Sequence, residues 1–360
     1  MTRGLVLRAA FGVALAAAVA WAGLIILTAG ANGTLGFDYR AYDLAVDNLL
    51  AGRTMYDPNA TATGSFGLFF YPPPFALLIL PLALLPAEVG VWLWTGALAA
   101  ATIAAVALLP LSARTRWLVL LLAALSWPLV YAIKLGQVGP VLLLLFAVGW
   151  RWMDRPWVLG SIAGLGTVIK VQPAVLIAWA IATGRRRAAL IALGVVFVLA
   201  AVATVVAGPQ SWLDEASLLG RVSQPVQTPH GVGIARIAYE AGVPETVATL
   251  VHWAHLVGVV AIVAFVVWQG SAVAGYLAVV VASQLLSPVL WDHYALVLLL
   301  PVAWLLERRQ WWAALVPLAT STMLIGLSPP IAYPIGFWMI LLGLAWAGRR
   351  PLGASPVTAA

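Results

Sequence analysis

Apolar residues run in long blocks along this chain, and the polar ones gather at a few breaks between them. The first block extends from about Leu5 to Leu27, and others cover about 88–109, 188–207, 246–268, 271–287 and 294–306. Blocks near 20 residues are the mark of membrane-spanning helices rather than of amphipathic helices around a soluble core. Between residues 117 and 183 the blocks are shorter, broken at Lys134-Leu-Gly-Gln137 and at Lys170-Val-Gln172-Pro173. That leaves four short spans or re-entrant pairs buried in protein. A last pair, between Arg309 and Arg349, divides at Ser328-Pro329-Pro330.

Two stretches after the first block have a different pattern. Over 38–50, Arg40, Asp43 and Asp47 share one side of a helix, and Ala41, Leu44, Ala45 and Leu49 cover much of the rest. This predicts a short helix lying in the membrane interface, with Arg40 paired to Asp43. Asp38, preceded by Phe37, falls where an N-cap belongs, and Gly52 suits the C-terminal end. Tyr71-Pro72-Pro73-Pro74-Phe75 then fixes an extended turn before an apolar stretch over 76–85 that is too short to span, a second interfacial helix.

Composition removes whole classes of function. The 360 residues are 63% hydrophobic and 9% charged, with a mean hydropathy of +1.01, whereas soluble domains carry about 25% charged residues. A soluble enzyme and a disordered chain are both excluded. The formal charge of +7 is spread along the chain in ones, twos and one triplet, which is a topology signal and not a basic groove for nucleic acid. No Cys is present, so disulfides, thiolate metal sites and thiol nucleophiles are ruled out.

Placing Arg114, Arg116, Arg151, Arg155, Arg185–Arg187, Arg308, Arg309, Arg349 and Arg350 on the cytoplasmic side demands an even number of crossings between clusters. The result is twelve spans with both termini inside. Residues 1–350 form a single transmembrane domain and 351–360 a disordered cytoplasmic tail. The large outer segments are 28–87 and 208–245. The N-terminal block lacks a convincing cleavage site and reads as an uncleaved first span. Many tryptophans (Trp92, Trp94, Trp117, Trp157, Trp212, Trp253, Trp311, Trp312) sit at span ends, as in an interfacial belt. No nucleotide-binding loop is present, so an activated substrate has to arrive by lipid.

The run from Phe37-Asp38-Tyr-Arg40-Ala-Tyr42-Asp43 to Tyr56-Asp57-Pro58, followed by Phe70-Tyr71-Pro72-Pro73-Pro74-Phe75, resembles the first outer loop of glycosyltransferase family 87. Gly136-Gln137, Ile169-Lys170-Val-Gln172-Pro173 and Ser287-Pro288-Val-Leu-Trp291-Asp292-His293-Tyr294 follow in matching order, so the resemblance spans most of the chain. It departs from the family in the loop Gln224-Pro-Val-Gln227-Thr-Pro-His230, with Arg236 after it.

The resemblance implies an all-α, GT-C-type membrane bundle and an inverting transfer of a sugar, foremost mannose, from polyprenyl phosphate to a lipid or glycan hydroxyl in cell envelope biosynthesis. A polyprenyl-phosphate arabinofuranosyltransferase is the alternative enzyme, and a lipid-linked sugar transporter or flippase the alternative class. The implied catalytic residues are Asp38, as general base, and His293. Lys170, Arg40 and Lys134 are the implied donor-phosphate ligands. Asp43, Tyr42, Tyr71, Gln137, Gln172, Trp291, Asp292 and Arg236 are the implied substrate contacts. Lys134 and Lys170 also read as lysines snorkelling to the interface. His252 and His255, three apart in one block, read as packing residues. No metal or cofactor is expected.

Overall fold

A computed structural model describes residues 2–64, 66–321 and 329–349. These are helical apart from turns, loops and an isolated bridge between Gly270 and Arg349. In chain order the helices are α1 (Thr2–Ala31), α2 (Phe37–Leu50), α3 (Pro73–Ala83), α4 (Ala87–Leu108), α5 (Ala113–Leu125), α6 (Trp127–Leu135), α7 (Gly139–Arg151), α8 (Pro156–Ile169) and α9 (Val175–Ala182). They continue with α10 (Arg186–Ala207), α11 (Gln210–Val222), α12 (Ile234–Glu240), α13 (Glu245–Gln269), α14 (Ala272–Leu285), α15 (Leu299–Glu307), α16 (Leu315–Ala319) and α17 (Ala332–Ala347). Short 3-10 turns occupy Gln172–Ala174, Asp292–Leu298 and Trp311–Ala314.

Among the described residues α1, α4, α10 and α13 are long and apolar enough to cross a membrane, and the pair α5–α6, bent by 62°, makes at most a fifth. The count of twelve is therefore not met. The reason is local. Ser126, the Gly136 break and the extended Lys170 divide the 113–182 region into helices shorter than the ~20 residues a span needs. The Ser328-Pro329-Pro330 break and the tail 351–360 fall wholly or partly outside the described residues. Leu5, Leu7, Val13, Leu24 and Leu27 of α1 are exposed, as are Phe197 and Val205 of α10, an apolar surface that only lipid satisfies. Trp92, Trp117, Trp157, Trp253 and Trp311 are exposed too. Trp94 is buried instead, its Nε1 donating to the Gly136 carbonyl at 2.7 Å.

One apolar core runs from Ala29 to Ala345. Close packing uses small residues. Gly160 and Gly164 of α8 face α10 so closely that a Cβ at either would lie under 3 Å from the Ala188 or Ala192 carbonyl. Four helix ends meet within this bundle. The start of α2 crosses the end of α6, where Gly36 N–H donates to the Lys134 carbonyl at 2.9 Å. Gly136, with φ +74°, closes α6 and lets Tyr39 approach; a Cβ there would meet that of Tyr39 at 2.9 Å. The third end is α8, which stops at Lys170. The fourth is the 286–291 loop, which leads into the 3-10 turn Asp292–Leu298 packed on α6 and α7.

Candidate active site

Asp38 is the second residue of α2 rather than its cap. Gly36, left-handed at φ +75°, holds the N-cap position, and no side chain caps the helix. This corrects the N-cap expectation. The Asp38 carboxylate accepts no hydrogen bond among the described residues and is half-buried. Desolvation raises its pKa to about 6, against the opposing pull of His293 and Lys170.

Lys170 and His293 line one narrow cavity with Gln137, Gln284 and Tyr294, and with apolar residues behind them. The Lys170 ammonium lies 3.9 Å from the centre of the Tyr294 ring and makes no ion pair with a carboxylate among the described residues. A π face thus holds the charge in place without neutralising it. His293 is buried, and neither ring nitrogen has a hydrogen-bond partner. Its Nδ1 is 3.4 Å from Asp292 Oδ1, out of hydrogen-bond geometry, and that oxygen instead accepts the His293 N–H at 2.7 Å. The ring lies parallel to Trp291 and edge-on to Tyr294 and Tyr131. A buried imidazole with two open nitrogens is costly unless a ligand or water completes it.

A second group adjoins these residues. Tyr42 Oη donates to Tyr71 Oη at 2.9 Å, Gln137 Nε2 donates to the same oxygen at 3.0 Å, and Gly139 N–H donates to Gln137 Oε1 at 2.8 Å. The Tyr56 hydroxyl donates to the Tyr71 carbonyl, so the turn before α3 is held at both backbone and side chain.

Other expected residues lie elsewhere. Arg40 pairs with Glu88 at 2.8 Å, in an exposed bridge, and not with Asp43. That corrects the helix-face pairing, because α4 brings a carboxylate from 48 residues away. Asp43 is half-buried, and burial and then Asp47 raise its pKa. Lys134 sits 5.8 Å from the Tyr131 ring and does not line the cavity. Gln172 has one buried oxygen without a partner. Arg236 is committed to Glu240 and to the Val226 and Gln227 carbonyls. His255 Nδ1 accepts from Trp338 Nε1 at 3.1 Å, and no metal-holding cluster exists among the described residues.

Two residues escaped the sequence reading. Gln284 ends an apolar block, where only the adjacent Ser283 hinted at a polar wall; its Nε2 donates to that Ser hydroxyl. Glu215 of α11 is buried, and desolvation raises its pKa to about 7. A carboxyl raised on folding favours the folded state while protonated, and that advantage is lost as pH rises from about 4.5 through 7. Glu215→Gln is therefore expected to unfold at a higher temperature than wild type at pH 8, by up to ~3 kcal/mol of stability, and to match it at pH 4. Parallel thermal melts in detergent check this. A melt at pH 8 below that of wild type would refute it.

The model of glycosyltransferase family 87 matches residues 69–288. A protein of Mycolicibacterium smegmatis, described as a polyprenol-phosphate-mannose-dependent alpha-(1-2)-phosphatidylinositol pentamannoside mannosyltransferase, is 30% identical across 93% of this chain and 86% of its own. A protein of the same description from Mycobacterium tuberculosis is 29% identical across 90% and 82%. Another from that species, described as a phosphatidylinositol mannoside mannosyltransferase with the same donor, is 28% identical across 79% and 73%. No solved structure matches the chain.

Proposed function

Because the chain belongs to glycosyltransferase family 87, we propose that it moves mannose from polyprenyl-phosphate mannose to a hydroxyl of a phosphatidylinositol mannoside-type glycolipid, with inversion and with Asp38 as general base. The observation that carries this reading is the uncommitted Asp38 carboxylate, raised to about 6 and coupled to Lys170 and His293. Above that pH the carboxylate is ionised, yet more basic than an ordinary Asp, which suits proton abstraction near neutrality. The acceptor proton passes to Asp38 as the acceptor oxygen bonds to the anomeric carbon. The bond from that carbon to the phosphate oxygen breaks, leaving polyprenyl phosphate with one more negative charge. Lys170, and His293 through an open ring nitrogen, face that charge. Arg40 and Arg236, bound to Glu88 and Glu240, have no part in the scheme.

Purified protein given labelled polyprenyl-phosphate mannose and phosphatidylinositol mannosides tests the reading. A glycolipid heavier by one hexose supports it. Donor consumption without that product, or no consumption, removes this acceptor or this donor.

The reading places 28–87 and 208–245 outside and both termini inside, with the α2 and α3 helices at the outer interface. It follows from the basic residues of the short connections. Single cysteines introduced into this Cys-free chain at the exposed positions 59 and 227 are expected to react with an impermeant thiol reagent in intact cells, and one at the exposed position 186 is not. Labelling at 186 would reverse the assignment.

A further inference from the structure

The proton positions around Tyr71 follow from counting donors and acceptors. Gly139 N–H is a donor by nature, so the Gln137 amide must turn its oxygen toward it and its NH2 toward Tyr71. Tyr71 Oη therefore accepts one bond from Gln137. Tyr42 and Tyr71 share a single hydrogen across 2.9 Å. If Tyr71 supplied it, the Tyr42 proton would be left with no acceptor. Tyr42 is completely buried, whereas Tyr71 keeps slight exposure and is bonded by Gln137, which lines the cavity with Lys170 and His293. A buried orphan donor is the costly arrangement. Tyr42 is thus the donor, both Tyr71 acceptor positions are filled, and the Tyr71 proton is left over. No protein acceptor receives it among the described residues.

Its surroundings are those of the candidate site. Asp38 and Tyr42 lie one turn apart on one face of α2. After burial, the Asp38 carboxylate is the group that acts most strongly to keep the Tyr71 phenol protonated. Tyr294, on which Lys170 rests, acts on it as well.

We propose that Tyr71 is the orienting donor for the acceptor substrate, giving its phenolic hydrogen to the same hydroxyl oxygen whose proton Asp38 removes. This rests on the reading of Asp38 as base. A hydroxyl has one hydrogen and two lone pairs. With the hydrogen directed to Asp38 and one lone pair taken by Tyr71, the second lone pair is the one left for the anomeric carbon. The relay Gly139→Gln137→Tyr71 so fixes the rotation of the nucleophile about its C–O bond. It also selects for an oxygen that can both accept and donate, so an acceptor with its reacting hydroxyl methylated or replaced by hydrogen finds no place there.

Two substitutions at Gln137 separate orientation from packing. Gln137→Glu puts an acceptor where the amide donated. The Tyr71 hydrogen then turns to the new carboxylate and is lost to the substrate. Gln137→Met removes the donor but leaves the Tyr71 hydrogen free. The expected result is a kcat lowered about tenfold by Tyr71→Phe and as much by Gln137→Glu, with a markedly smaller loss for Gln137→Met. The double variant Tyr42→Phe/Tyr71→Phe leaves no orphan hydroxyl and is expected to match Tyr71→Phe in rate while remaining folded. Equal losses for Gln137→Glu and Gln137→Met, or a wild-type kcat in the double variant, would overturn the proposal. Asp38→Asn is assayed alongside. Normal turnover in Asp38→Asn removes the base itself. A dead Asp38→Asn beside a normal Tyr71→Phe removes only the orienting role.

Discussion

Asp38→Asn is expected to lower mannosyl transfer by about 10²–10⁴-fold, the usual loss when a general base is removed, while insertion and thermal stability are kept. The two effects separate because Asp38 does not cap α2: Gly36 stands at the N-cap and no side-chain cap exists to lose. Stability at pH 7 is expected to rise slightly. The native protein carries Asp38 with its pKa at about 6 instead of 3.8, so above pH 6 it bears the cost of an ionised, desolvated carboxylate. That cost is ~3 kcal/mol at most, and a neutral amide removes it. The pH dependence has the matching sign. Wild-type kcat/KM is expected to fall as pH drops below about 6, where Asp38 takes up its proton. Rates with saturating donor, a detergent melt at pH 7 and a pH–rate profile check the three statements. Near-normal turnover in Asp38→Asn, with chemistry rate-limiting, would transfer the search for a base to Asp43 or His293.

Lys170→Met is expected to cost about 10²–10³-fold in transfer, the loss typical of removing one preorganised group from a developing negative charge. The ammonium is held 3.9 Å from the Tyr294 ring with no carboxylate partner among the described residues, so its charge is fully available to a ligand. Methionine preserves the length and the apolar contact with the ring. Inhibition by added polyprenyl phosphate is expected to weaken in parallel, since the same contact holds the product. A variant that transfers at the wild-type rate, or that is inhibited as strongly as wild type, would show that Lys170 serves packing against Tyr294 and not the phosphate.

Asp38, Lys170 and His293, on which the proposed function rests, stand out in the sequence through the family resemblance, and Lys170 and His293 also as ionisable groups placed where an apolar block breaks. Such a group at membrane depth is expensive and needs a reason. The same logic failed at Glu215 and Gln284. Glu215 sits in a polar segment, where a carboxylate attracts no notice, and only the approach of other elements buries it. Arg40 failed in the opposite direction. Its helix neighbours Asp43 and Asp47 offered an obvious partner, but Glu88 of α4 takes it. Spacing along one helix ranks only the partners that helix contains.

The sequence by itself determined that this is a helical membrane protein and where its main apolar helices lie. Hydropathy is a property each residue carries alone and sums along the chain, so α1, α4, α10 and α13 match the expected blocks closely. Tertiary structure decided the rest. It divided the 113–182 region into short helices in place of full spans, and it set the N-cap of α2 at Gly36, two residues before Asp38. It also brought the ends of α2, α6 and α8 to the 3-10 turn at Asp292. These outcomes turn on pairs of distant groups, such as Gly136 against Tyr39 or Gly36 N–H against the Lys134 carbonyl. A buried helix end must find its hydrogen-bond partners somewhere, and only the packed bundle specifies which partners are within reach.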